Sequence, residues 1–175
     1  MRIETLIDED ALRTRVRELA DQLWRDYAEA PLTVVCLLEG ARRFTDDLLR
    51  HLAARGFLPE RLDVRARRSQ GTTLGPVTIE HFDPERLEDR DVLVVDDLAD
   101  EGITLRGVLD LAALGEPRSV RICVLLDKAS RRTEDVPLSY VGFRIGDAWV
   151  IGYGMDVDGE YRDLDWIGVL QDDRF

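Results

Sequence analysis

The sequence has few of the residues that build disulfides and metal centres, and it has no long apolar run. Cys36 and Cys123 each lie inside an apolar segment typical of a buried strand, so we expect buried thiols rather than a disulfide or a metal site. His51 and His81 have no metal-like spacing relative to them, which argues against zinc. No stretch approaches the roughly 18 apolar residues of a membrane span, and residues 1–4 begin no signal segment. We therefore expect a cytoplasmic protein without a membrane partner.

Positive charge is also scarce. The 175 residues include 36 acidic and 24 basic side chains, for a formal net charge of −12. This excess argues against nucleic acid as a partner, because phosphate backbones are bound by basic surfaces. An acidic protein that binds a polyanionic substrate usually needs a divalent cation between them, which makes Mg²⁺ the expected cofactor. Lys128 is the only lysine among the 24 basic residues, and this suggests a position that needs an ammonium group rather than a guanidinium group.

The apolar periodicity predicts one α/β domain over residues 1–175. Helical spacing occurs over residues 8–27, with Asp8 as the N-cap, again after residue 41, and over residues 103–114. Predicted strands cover residues 32–38, 62–68, 77–81, 91–96, 120–126, 140–145 and 149–153, and residues 69–76 are predicted to form a mobile hairpin tip. The alternation of strands and helices indicates a mostly parallel central sheet flanked by helices. Ligands in such sheets bind beyond the carboxyl ends of the strands.

The segment D-D-L-A-D-E-G-I-T-L, residues 96–105, follows the most apolar predicted strand. Gly102 permits a tight turn, and Ile103 and Thr104 begin a helix whose free N–H groups suit a phosphate group. The aspartates before this turn suit sugar hydroxyls and a magnesium ion. The alternative is an ordinary acidic loop in which glycine makes the turn and an aspartate caps the helix.

This segment resembles the phosphoribosyl-diphosphate signature of the type I phosphoribosyltransferases, commonly V-[VIL]-x-D-[DE]-x-x-[DS]-T-G-x-T. V-V-C-L-L-E-G-A resembles the strand and diphosphate loop of that family, and L-L-D-K-A-S-R-R resembles its purine-recognition strand. Y-V-G-F-R-I-G-D-A-W-V-I-G-Y-G-M-D resembles its base-stacking and metal region, and E-Y-R-D-L resembles its closing motif. The likeness spans roughly residues 8–170, and hypoxanthine-guanine phosphoribosyltransferases are the most similar members.

The resemblance implies the type I fold, with a mobile hairpin loop and a small hood. It also implies transfer of the 5-phosphoribosyl group from phosphoribosyl diphosphate to hypoxanthine or guanine, with Mg²⁺, by a homodimer or homotetramer. Asp100 would be the catalytic general base, and Asp96, Asp97 and Asp156 would hold the metal. The residues implied in phosphoribosyl diphosphate binding are Glu39, Gly40, Asp96, Asp97, Asp100, Glu101, Gly102, Ile103, Thr104 and Arg162.

Three further residues would recognise the purine. Lys128 would donate to the six-position oxygen of an oxopurine. It would select against adenine, because adenine would leave that buried donor unpaired. Trp149 would stack on the base, and Val150 would offer backbone groups to its edge. The alternatives are a solvated lysine at a strand end, a core tryptophan and, for Asp156 and Arg162, ordinary surface charges.

Three departures from the family pattern bear on activity. Glu101 stands where threonine is common, and its charge would weaken sugar-phosphate binding unless the side chain turns away. Residues 65–68 are R-A-R-R where relatives carry Ser-Tyr, and Glu39 stands where lysine is frequent. Glu101 and the missing Ser-Tyr favour an alternative, a non-catalytic module that senses a nucleotide or phosphoribosyl diphosphate, whereas Asp100, Lys128 and Asp156 argue against it because a sensor needs no general base. A phospho-acceptor receiver domain is disfavoured, because the Asp-Asp pair follows a mid-chain strand.

Overall fold

The computed structural model describes residues 2–68 and 77–171, which form two sheets and three α-helices. The helices are α1 (Glu9–Tyr27), α2 (Arg42–Ala53) and α3 (Ile103–Ala113). The strands are β1 (Arg2–Ile7), β2 (Leu32–Leu38), β3 (Glu60–Arg68), β4 (Val77–Glu80), β5 (Asp91–Ala99), β6 (Ser119–Asp127), β7 (Tyr140–Arg144), β8 (Val150–Ile151) and β9 (Ile167–Gln171). The predicted hairpin tip, residues 69–76, lies outside the described residues.

The larger sheet has the order β4-β3-β2-β5-β6-β7, and every neighbouring pair is parallel except β3 and β4. This confirms the predicted α/β class with a mostly parallel central sheet. Alternate residues of the inner strands enter different cores, as expected for strands covered on both faces. Val34 packs in the core that contains α1 and α2, whereas Val35 and Leu37 pack in the core that contains α3.

Helix α1 forms where the apolar spacing and the capping residue predict it. The Asp8 carboxylate accepts a hydrogen bond from the Ala11 N–H at 2.8 Å, which satisfies one of the free donors of the first turn. The predicted apolar stripe is buried along its whole length, at Leu12, Val16, Leu19, Leu23 and Tyr27. None of the helices in the described part of the chain is long and apolar enough to cross a membrane.

The smaller sheet has the order β1-β9-β8, with both pairs antiparallel, and it forms the hood beside the main sheet. Strands β1 and β9 were not predicted, because each depends on a partner at the other end of the chain. The strand predicted over residues 149–153 is reduced to β8. Gly152 has a φ of 95°, and the Tyr153 N–H donates to the Leu164 carbonyl instead of extending the strand.

Strand β5 is longer than predicted. Its pairing with β6 continues through Leu98 and Ala99, so Asp96 and Asp97 lie within the strand and do not close it. The apolar run stops at Val95, but backbone hydrogen bonds to β6 continue the strand whatever the side chains are. Strand β5 therefore delivers its carboxylates directly to the carboxyl edge of the sheet.

Candidate active site

Two adjoining cavities open where β2, β5 and β6 end. One has a volume of about 290 Å³ and is bordered by the start of α3. The other, of about 430 Å³, is bordered by the 128–131 turn and by residues of the hood. Both are lined by Gly40, Asp97, Leu98 and Asp100, so they form one continuous cleft. We call the first the phosphate cavity and the second the purine cavity, after the ligands that the sequence predicts for them.

Helix α3 begins at the phosphate cavity. Gly102 is its N-cap residue in a left-handed conformation, with a φ of 88°, and Gly102, Ile103 and Thr104 all line the cavity. Because glycine offers no side chain to cap the first turn, the N–H groups of that turn suit an external anion. Asp100 does not cap α3, so that alternative for Asp100 is wrong.

The turn before α3 is docked against residues 132–136. The Glu101 carbonyl accepts hydrogen bonds from the N–H groups of Thr133 and Glu134, both at 3.0 Å. A Cβ added to Gly102 would lie 2.6 Å from Cγ2 of Val136, so glycine is required by space as well as by conformation. Glu101 is one of the residues that line the phosphate cavity.

Asp96 and Asp97 enter the cleft side by side from β5. Asp96 is 9% exposed, and one of its carboxylate oxygens accepts the Asp97 N–H at 3.0 Å. Burial raises the pKa of the Asp96 carboxyl well above its ordinary value, and the neighbouring Asp97 charge raises it further. The Asp97 carboxylate lies against Gly40, where any Cβ would overlap it. The Leu38–Glu39 peptide bond, at the end of β2, is cis.

These two carboxylates fit magnesium better than a metal that needs a full protein cage. Among residues 2–68 and 77–171, no three His, Cys, Asp or Glu side chains gather closely enough to hold a metal ion alone. Mg²⁺ commonly takes one or two carboxylates and completes its octahedron with water and substrate phosphates. A cation at Asp96 and Asp97 would also offset the unfavourable burial of negative charge at Asp96.

The purine cavity contains a chain of alternating charges. The Arg131 Nε lies 2.9 Å from Oδ1 of Asp100, and its Nη1 lies 3.4 Å from Oδ2 of Asp147. The Lys128 Nζ lies 3.9 Å from Oδ1 of Asp147. Lys128 is only 6% exposed, so the solvated alternative is wrong. Arg131 and Asp147 were not assigned from the sequence, although both lie within segments that resemble family motifs.

Trp149 and Val150 also line the purine cavity. Trp149 is 48% exposed, so it is not the core residue that the alternative required. It directly precedes β8 instead of lying within a strand. Val150 is buried and begins β8, which fixes the backbone beside the indole ring. An exposed aromatic ring at a cavity edge is suited to stacking on a planar base.

Asp156 and Arg162 are paired with each other at the hood side of the cleft. The Arg162 Nη2 lies 2.6 Å from Oδ1 of Asp156, and its Nη1 donates to the Gly154 carbonyl at 2.6 Å. Gly154 packs directly on the Gly40 carbonyl, where a Cβ would overlap the oxygen. The hood therefore joins the loop after β2, and both charged residues border the purine cavity.

Glu39 is held by two arginines. Its Oε1 contacts Arg65, and its Oε2 lies 3.3 Å from the Arg42 guanidinium. Glu39 and Arg65, two of the departures from the family pattern, thus compensate each other's charge. The contacts of Glu39 with Arg65 and Arg42 place basic groups beside the loop after β2, although Glu39, the first residue of that loop, is acidic.

Arg132, which the sequence analysis also did not assign, braces the end of β5. Its Nη2 lies 2.5 Å from Oδ1 of Asp127, a carboxylate that is 6% exposed. Its Nε and Nη2 also donate to the carbonyls of Asp100 and Ala99, at 2.9 and 3.2 Å. Asp127 and Arg132 lie in the same short sequence segment, and this proximity could have indicated an ion pair. The sequence does not reveal which backbone carbonyls Arg132 contacts.

The cleft combines a helix start that suits an anion, paired carboxylates and a buried ammonium group, all on a mostly parallel sheet with a hood. Residues 3–158 match the family model of the phosphoribosyl transferase domain, and the chain belongs to this family of phosphoribosyltransferases. The predicted family is confirmed, and the receiver-domain alternative is wrong.

The similar proteins within the family have related names. The chain is 37% identical to hypoxanthine phosphoribosyltransferase of Salmonella typhimurium, over 95% of this chain and 94% of that protein. It is 34% identical to hypoxanthine-guanine phosphoribosyltransferase of Bacillus subtilis, over 96% and 93%. Among solved structures, a hypoxanthine-guanine phosphoribosyltransferase of Bacillus anthracis superposes with a TM-score of 0.88 at 34% identity, covering 96% of this chain and 98% of that one.

Proposed function

We propose that this protein transfers the 5-phosphoribosyl group of phosphoribosyl diphosphate to an oxopurine, hypoxanthine or guanine, in purine salvage. The products are a nucleoside monophosphate and diphosphate. The observation that carries the proposal is the continuity of the cleft, in which Asp100 borders both the helix start that suits a phosphate and the cavity that contains buried Lys128. The names of the similar proteins support the same reaction.

At the phosphate cavity, the N–H groups of Gly102, Ile103 and Thr104 would bind the 5-phosphate, beside Glu101. Asp96 and Asp97 would face the ribose hydroxyls and hold Mg²⁺, with Asp156 as a further contact. The ion, when bound, neutralises charge on the departing diphosphate. Gly40 and the Glu39 backbone would border that diphosphate, and Arg162 would bind it once released from Asp156.

At the purine cavity, Asp100 would accept the proton from one imidazole nitrogen of the purine as the other imidazole nitrogen bonds to the anomeric carbon. Carboxylates near this carbon also stabilise the positive charge that develops as the diphosphate leaves. The Lys128 ammonium would donate to the six-position oxygen. Trp149 would stack on the base, and Val150 would offer backbone groups to its edge.

We further propose that residues 1–175 act as one domain, that the protein is a cytoplasmic homodimer or homotetramer, and that neither nucleic acid nor a membrane is a partner. The coverage of more than 90% of the length of similar proteins supports the first point. Light scattering of the purified protein tests the second, and a monomeric mass would contradict it.

The experiment combines purified protein, Mg²⁺ and phosphoribosyl diphosphate with each common base in turn. We expect nucleotide formation and diphosphate release with hypoxanthine or guanine, and loss of activity when Mg²⁺ is chelated. Asp100→Asn is expected to lower turnover about 100-fold while changing base affinity much less. Asp10→Asn, an exposed change on α1, is the control.

Failure to release diphosphate with any base would contradict the proposal. Binding of phosphoribosyl diphosphate without turnover would favour the alternative of a non-catalytic module, for which Glu101 at the phosphate cavity is the supporting observation.

A further inference from the structure

Four charged side chains follow one another across the purine cavity in alternating sign. The order is Lys128, Asp147, Arg131 and Asp100, and the separations are 3.9, 3.4 and 2.9 Å. Asp147 contacts two cations, and Arg131 contacts two carboxylates. The two ends of this charged chain are the residues proposed above to select the purine and to accept its proton. The two middle residues have no role in the proposed reaction.

Folding stability does not explain the middle residues. The side chains of Arg131, Asp147 and Asp100 are 42%, 56% and 38% exposed, and ion pairs this exposed contribute little to stability. Lys128 differs, because its side chain is only 8% exposed. Burial of an ammonium group is unfavourable without a counter-charge, and Asp147 supplies one.

The neighbouring arginine shows what a structural role looks like. Arg132 is 16% exposed, pairs with the buried Asp127 and donates to two backbone carbonyls. The Arg131 side chain instead donates to the carboxylates of Asp100 and Asp147, and Arg131 lines the purine cavity. Two adjacent residues of one short turn thus have different environments. Arg132 braces the main chain, while Arg131 orients a group that the proposed reaction uses.

We propose that Arg131 and Asp147 are positioning residues that link Lys128 to Asp100, so that purine selection and proton acceptance depend on one charged chain. Asp147 fixes the Lys128 ammonium for a six-position oxygen. Arg131 fixes the Asp100 carboxylate through one oxygen and is itself held by Asp147. This inference rests on the proposed function for the roles of the two end residues.

The first test measures binding and needs no turnover. Calorimetry gives the affinity of the wild type, Arg131→Ala, Asp147→Asn and the double variant for inosine monophosphate and adenosine monophosphate. Asp147→Asn is expected to weaken inosine monophosphate binding about tenfold, because Lys128 loses its anchor, and to change adenosine monophosphate binding less than about twofold. The double variant is expected to lose less than the product of the single losses, since both changes break one chain.

The second test separates kcat from KM with hypoxanthine as substrate. Arg131→Ala is expected to lower kcat about tenfold while KM for phosphoribosyl diphosphate stays within about twofold, because the Asp100 carboxylate loses its orientation. Arg131→Lys, which keeps one donor and the charge, should recover part of the loss. If Arg131 had a purely structural role, Arg131→Ala would instead lower the melting temperature and would not lower kcat selectively.

The chain offers a matched control pair. Arg121 and Asp26 also lie 3.4 Å apart with similar exposure, but they are away from the cleft. Arg121→Ala and Asp26→Asn should leave nucleotide affinity unchanged. Equal losses for both nucleotides in Asp147→Asn, or single losses that multiply in the double variant, would overturn the proposal. If the wild-type protein binds inosine monophosphate but shows no turnover, only the proposed function is contradicted. The comparison of nucleotide affinities among the variants still tests the link between Lys128 and Asp100.

Discussion

The two halves of the cleft are built in different ways. The phosphate cavity takes most of its lining from residues 96–105, and glycines and backbone groups shape it. The purine cavity joins side chains from around residues 39, 100, 128, 148 and 160, and ion pairs connect them. A backbone-built site tolerates little added volume, whereas a site built from side-chain charges is altered mainly by changes of charge. Substitutions that add volume should therefore impair the phosphate cavity most, and substitutions that change charge should impair the purine cavity most.

Gly102→Ala should have the largest effect, because it adds volume to the backbone-built half. The positive φ costs about 1–2 kcal/mol for a residue with a Cβ. The contacts at 2.6 Å with Val136 and 2.8 Å with Arg132 add about 1–3 kcal/mol. We expect a comparable loss in the free energy of unfolding, measured in urea, and a higher KM for phosphoribosyl diphosphate.

Gly56→Ala separates these two causes. Gly56 has a φ of 77°, but in the described part of the chain no heavy atom beyond its two chain neighbours lies within 4 Å of the position that a Cβ would occupy. It should show the conformational cost alone. Equal destabilisation by both substitutions would mean that packing against residues 132–136 does not shape the phosphate cavity.

Lys128→Met tests the charge-built half. It removes the buried ammonium group but keeps an unbranched chain of similar length, so the fold should persist. The ratio of kcat/KM for hypoxanthine to that for adenine should fall about tenfold, since a charged hydrogen bond to the six-position oxygen is lost. Arg118→Ala, an exposed change at the other end of β6, is the control. An unchanged ratio would remove Lys128 from purine selection.

Asp96→Asn should have a smaller effect, on stability. Burial and Asp97 raise the pKa of Asp96 in the folded protein above that of the unfolded chain. The folded state therefore holds this proton more tightly, and the contribution of Asp96 to stability falls as pH rises from about 3.9 through the folded pKa. In metal-free protein at pH 7.5, the variant should gain about 1 kcal/mol, or about 2–4 °C in melting temperature.

The pH dependence gives the matching control for Asp96→Asn. The gain should vanish at pH values below the pKa of the unfolded carboxyl, where both states are protonated. The exposed Asp10→Asn variant should show no gain at either pH. A variant that is less stable than the wild type at pH 7.5 would show that the Asp96 charge is not disfavoured in the folded protein.

Glu39→Gln should have the smallest effect, at the boundary of the two halves. It removes the charge that holds Arg65 and Arg42, which are then available to the diphosphate. We expect KM for phosphoribosyl diphosphate to fall about twofold at low salt, because exposed ion pairs are weak and screened. Glu9→Gln, which removes another exposed arginine partner, should leave KM unchanged. A rise in KM would mean that the Glu39 carboxylate helps to bind the substrate.

The sequence predicted the elements that depend on nearby residues. Helix α1 and its Asp8 cap, strand β2 and the turn before α3 follow from apolar spacing, short-range hydrogen bonds and the conformational freedom of Gly102. The buried thiols follow from the strands that contain them, and burial raises the pKa of Cys36 to about 11. The candidate residues near 96–104 were identifiable because they are contiguous in the chain.

Only the tertiary structure decided the rest. Paired residues of β1 and β9 are 160 or more positions apart in the sequence, and this pairing leaves no mark within either segment. The contacts of Arg131 with Asp100 and Asp147, unlike those of Arg132 with Asp127, depend on where β5, β6 and the hood end in space. Local sequence determined helix α1, strand β2 and the turn before α3, because those interactions join near neighbours. The partners of each charge were decided by the fold, because they come from segments that meet only once the sheet has formed.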